Sequence, residues 1–135
     1  MKNSQLLLSV ALGVAFWFAA ALIVRFGGTA IFTENNSMLI VIYGVAFPVT
    51  GAFLFITKLF LNVSYNQLVR PIMVVTLTAA LLDAVALSWF RALYSHSFEV
   101  ALHGAALILW GVGLGLLAAL WLEQRVTSPN RFDNY

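Results

Sequence analysis

Four long apolar runs, parted by three short polar breaks, account for nearly all of this chain. The runs cover residues 6–32, 38–61, 71–90 and 98–122, and a polar tail, 123–135, follows the last. A helix needs about 20 apolar residues, at roughly 1.5 Å each, to cross a hydrocarbon core of about 30 Å. Each run meets that length. Inside a bilayer the backbone must bond to itself, so such a run is helical. The pattern predicts an all-α polytopic membrane protein. It is a single domain of four transmembrane helices in an up-down bundle, with no room for an extramembrane domain.

The punctuation within and between the runs refines this. TENNS at 33–37 reads as an Asn-rich turn, NVSYNQLVR at 62–70 as the second loop and residues 91–97 as the third. Pro71 suits the first turn of the third helix. Pro48, inside the second, removes one backbone hydrogen bond and predicts a kink that Thr50 or a neighbouring helix can compensate. Trp89, Tyr94 and Trp121 sit where amphipathic aromatics meet a membrane surface. The first run is too long for the apolar core of a cleaved signal peptide, and no small-x-small site ends it. Ala11, Ala15 and Ala19 form a smooth stripe. Gly104 and the series Gly111, Gly115 and Ala119 predict a face of the fourth helix that meets another helix backbone to backbone.

Composition agrees with the pattern. The 135 residues are 62% hydrophobic and 9% charged, with a mean hydropathy of +0.95, whereas soluble domains carry about 25% charged residues. Absence of cysteine excludes disulfide exchange, thiolate metal sites and iron–sulfur clusters. Lys2, Lys58, Arg70, Arg125 and Arg131 fall at the amino end, the second loop and the tail, and Arg25 and Arg91 fall on the other side. That distribution predicts both termini in the cytoplasm of a prokaryotic (or internal) membrane. The net charge of +2 is accounted for by such loops and implies no nucleic-acid partner.

Two charges interrupt the apolar runs. Asp83 lies seven residues before the end of the third run and Arg25 seven before the end of the first, so both are roughly 10 Å deep. A charge in a membrane helix costs at least a few kcal/mol unless something compensates it. An Arg25–Asp83 ion pair is the expected compensation, either as a structural lock between helices or as a working site for a proton, cation or ligand. The other option is that Arg25 snorkels outward and Asp83 is protonated or bonded to a Ser or Thr.

His96, Glu99 and His103 are spaced i, i+3 and i+7, on one side of a helix if the helix includes them all. Imidazoles with a carboxylate are ligands for zinc, copper or iron, but one helical face makes an incomplete site, and no metal is expected. His103 has small neighbours, Ala101 and Gly104, which would leave space for a flat tetrapyrrole (haem or chlorophyll) ligated by its imidazole. No cofactor is otherwise called for, and no catalytic constellation is present. Phe16, Trp17 and Phe18 read as packing or lipid-facing aromatics.

Trp17 and Arg25-Phe26-Gly27 in the first run, Leu81-Leu82-Asp83 and Phe90 in the third, and Leu109-Trp110 and Gly113 in the fourth together resemble a bacterial family of small four-span membrane proteins of unassigned activity. The resemblance implies a four-span fold over most of the chain and an Arg25/Asp83 site as a shared feature. It implies no reaction.

Three functions are compatible with these features. The first is a non-enzymatic accessory or scaffolding subunit, packing through its small-residue faces on other membrane subunits or on copies of itself within the bilayer. The second is a small proton-coupled transporter with Asp83 as the proton-linked carboxylate. The third is a redox or pigment-binding subunit that uses His103.

Overall fold

A computed structural model describes residues 1–127 and is all-helical. The four long helices are α1 (Asn3–Ile31), α2 (Ser37–Leu61), α3 (Val69–Trp89) and α4 (Phe98–Thr127). Short 3-10 turns at Tyr65–Gln67 and Arg91–Leu93 lie in the second and third loops. All four helices are long and apolar enough to cross a membrane. Large apolar side chains cover the outside of the bundle as well as its inside, Phe26, Ile40, Leu7 and Leu109 among them. A surface of that kind is stable against lipid and not against water. The chain is a multi-pass membrane protein.

Local chemistry sets the helix ends. Gly28 has φ +47° and ψ −142° inside the last turn of α1, a conformation open to glycine and strained for other residues. The Asn36 side chain accepts from the Met38 N–H at 3.0 Å and caps α2. Asn62, with φ +50°, ends α2 in the left-handed conformation. The helix runs unbroken through Pro48. At its far end α4 continues five residues beyond the expected limit of 122, so the first part of the expected tail, 123–127, is helical. There Arg125 lies 4.8 Å from the Trp121 ring centroid. Residues 128–135, including Arg131, lie outside the described residues.

The order of helices around the bundle departs from a simple up-down ring. The most extensive contact joins α1 to α3, and α2 packs chiefly on α4. The neighbours α3–α4 and α1–α2 close a ring in the order α1, α3, α4, α2. The second loop therefore crosses the end of the bundle and packs under α4, burying Leu68 beside Leu54, Ile72 and Ala119. Gly13 makes the α1–α3 contact possible: a Cβ there would stand 2.7 Å from both the Val75 carbonyl oxygen and the Thr78 Cβ. Ala11 and Ala15, the expected packing stripe, are exposed instead. The inward face of α1 consists of Ser9, Leu12, Gly13, Ala21 and Val24.

Among the described residues, three apolar clusters hold the bundle. One joins Ala21, Val24, Phe32, Ala86, Tyr94 and Val100 near the end that carries the Arg91–Leu93 turn. The others, around Leu54 and Ala119 and around Leu12, Leu61 and Val75, lie toward the opposite end. Between them the four helices do not close.

Candidate functional site: a buried carboxyl in the wall of an apolar pocket

Asp83 is 7% exposed, in the part of α3 that faces α1. The helix ends at Trp89, and the Arg91–Leu93 turn brings the following residue, Tyr94, back beneath it. Tyr94 is wholly buried and donates its hydroxyl proton to Asp83 Oδ1. Trp17 Nε1 of α1 donates in turn to Tyr94 Oη at 2.9 Å. Indole N–H can only donate, so the polarity of this chain is fixed. Tyr94 accepts from Trp17, and its one proton is directed to the carboxyl. Burial, and then the neighbouring Asp83, hold the Tyr94 hydroxyl above the ordinary tyrosine range.

The second carboxyl oxygen, Oδ2, is buried and has no hydrogen-bond partner among the described residues. The expected direct pair with Arg25 is not formed. Residues 17, 21 and 24 of α1 face α3 and the turn, and position 25 is rotated about 100° away from 24 onto the outer surface, where Arg25 is exposed. Its guanidinium donates to the Ala92 carbonyl at 2.8 Å and the Leu93 carbonyl at 3.3 Å. Arg25 thus fastens the turn that positions Tyr94, and Tyr94 holds Asp83.

Asp83 lies in the wall of a pocket of about 180 Å³ bounded by all four helices. The remaining wall is almost wholly apolar: Phe16 and Trp17 of α1, Phe53 and Leu54 of α2, Ile72 and Val75 of α3, and Leu107 and Ile108 of α4 among others. Phe16 and Phe53 stack with ring centroids 4.3 Å apart. Gly111 and Gly115 also line it, and a Cβ on either would meet nothing within 4 Å among the described residues. The expected backbone-to-backbone seam is therefore absent at these two glycines, where the missing side chains leave room. Ala119 is packed, against the Leu54 cluster. The close approach on α4 occurs at Gly104, where a Cβ would strike the Val24 side chain.

That contact also changes the reading of His103. The space expected beside Gly104 is filled by Val24 of α1. His103 is half-buried, whereas His96 is exposed in the loop before α4. Glu99 Oε1 accepts from the Glu34 backbone N–H at 2.6 Å and ties α4 to the first turn. The three residues thus do not converge, and no cluster of metal-ligating side chains occurs among the described residues.

No known family, curated protein or solved structure matches this chain. The site is therefore read from its own geometry.

Two members of it were not legible as such. Tyr94 reads in sequence as an interfacial aromatic and Trp17 as packing, because the turn that brings Tyr94 back onto α3 leaves no periodic trace. The usable signal was chemical: a buried carboxyl needs donors, and Trp and Tyr were the aromatic donors within reach.

Proposed function

We propose that the protein is a small proton-coupled carrier that loads lipophilic cations into the pocket between its helices, with Asp83 exchanging a proton for the cation. The observation that carries this reading is the Asp83 carboxyl, buried in an apolar wall with one oxygen unpartnered. An isolated carboxylate in such surroundings is costly. Two things can neutralise it, its own proton or a positive group brought by a ligand, and each excludes the other. Tyr94, itself held by Trp17, bonds Oδ1 and leaves Oδ2 for that exchange. We take both termini to be cytoplasmic, on the distribution of Lys and Arg between the two ends. Reaction with an impermeant thiol reagent at Asn3→Cys in intact cells would reverse that orientation.

Proteoliposomes with an entrapped pH dye test the carrier. An external lipophilic cation should draw protons outward through the wild type and not through Asp83→Asn. Equal proton movement in both would remove Asp83 from the mechanism.

A second reading, the accessory subunit, is favoured by α2, whose exposed Gly44 and Gly51 have open space beside them. Stoichiometric co-purification of other membrane subunits in mild detergent would support it.

A further inference from the structure

The pocket holds a second unpartnered polar group. Ser9, Thr57, Thr76 and Thr78 each donate to the carbonyl four residues earlier, at 2.8 Å, the usual resting place of a hydroxyl in a membrane helix. Thr50 is buried at 8% exposure, lies in the pocket wall and makes no hydrogen bond among the described residues. It belongs to α2, and Asp83 to α3. Leu54, one turn from Thr50, shares a cluster with Leu68 and Ile72 of the opposite end. Thr50 and Asp83 line the same pocket from these two different helices.

We infer that the pocket selects a lipophilic amine carrying an N–H on its positive nitrogen, which donates to Asp83 Oδ2, and a hydroxyl, which bonds to Thr50. This rests on the reading of the pocket as a cation site and adds the substrate class. The N–H requirement follows from the unpartnered oxygen. A quaternary ammonium supplies charge but no donor, so Oδ2 stays unbonded, whereas a protonated amine supplies both. The stacked Phe16 and Phe53 rings and the Trp17 indole form an aromatic wall suited to a flat apolar body between the two polar groups.

Three probes separate the parts: 3-phenylpropylamine, its N,N,N-trimethyl derivative and its para-hydroxyl derivative, with binding measured to the purified chain in nanodiscs. The primary amine should bind the wild type about tenfold more tightly than the trimethyl compound, the ratio expected of one charge-assisted hydrogen bond. That ratio should collapse toward one in Asp83→Asn. The para-hydroxyl derivative should gain several-fold in the wild type and lose the gain in Thr50→Val, whose fold is checked by its melting temperature. A trimethyl compound that binds as well as the amine overturns the donor requirement. A hydroxyl gain that survives in Thr50→Val overturns the second contact. If cations bind in an Asp83-dependent way without these preferences, the substrate class fails and the cation site stands. If none of the three binds the wild type, both fail.

Discussion

Tyr94 donates its only hydroxyl proton to Asp83, eleven residues earlier in the chain, across the turn that ends α3. The contact converts an isolated carboxyl in a membrane helix into a positioned one, and Trp17 locks it from α1. Tyr94→Phe keeps the ring packing and removes the donor, leaving Oδ1 buried without a partner. A loss of about 1–3 kcal/mol is expected in reversible denaturation. Trp17→Phe should cost less in hydrogen bonding, about 1 kcal/mol, because Tyr94 keeps its bond to Asp83. An unchanged Tyr94→Phe protein would mean that the carboxyl finds another donor.

The same contact has a pH signature. An exposed tyrosine ionises near pH 10, and Tyr94 is held above that by burial and by Asp83. Its contribution to stability is fully present below the ordinary tyrosine pKa and is lost as pH rises toward the higher folded value. Between about pH 10 and 11 the tyrosinate absorbance of the folded wild type and of Tyr94→Phe should therefore be equal. Loss of one tyrosine's worth of amplitude in Tyr94→Phe would show that Tyr94 titrates freely.

Arg25 and Asp83 are linked through the Arg91–Leu93 turn and its successor, and not by an ion pair. Arg25→Leu combined with Asp83→Asn should be close to additive, with a coupling of no more than about 0.5–1 kcal/mol. Recovery of several kcal/mol in the double variant would require direct contact in the membrane.

The glycines separate by what lies opposite them. Gly13→Ala places a methyl against the Val75 backbone oxygen, which cannot give way without moving α3, so a loss of about 1–3 kcal/mol is expected. Gly111→Ala faces open space and should be neutral, or more stable by up to about 1 kcal/mol from helix propensity. Thermal melts of the two variants in one detergent make the comparison. A Gly111→Ala protein as weakened as Gly13→Ala would place a helix against the pocket wall.

The four spans were legible in the sequence alone, because crossing a bilayer imposes one requirement, about 20 apolar residues in a row, that needs no knowledge of neighbours. Their expected limits fall within three residues of the helices at most ends, and α4 overran because the interface tolerates polar helix such as Glu123 and Arg125. Asp83 was legible for the same reason, as a charge where charges are costly. Its partner was not. Arg25 is the cation at matching depth, yet depth along a helix says nothing about rotation around it, and rotation turned Arg25 outward and Trp17 inward. The order of the helices around the ring decided the rest. Setting α1 against α3 put Gly13 against the α3 backbone and left Gly111 and Gly115 on a pocket wall. In a chain apolar on every face, hydrophobic pattern cannot say which face meets a helix and which meets lipid; only side-chain packing in three dimensions decides that.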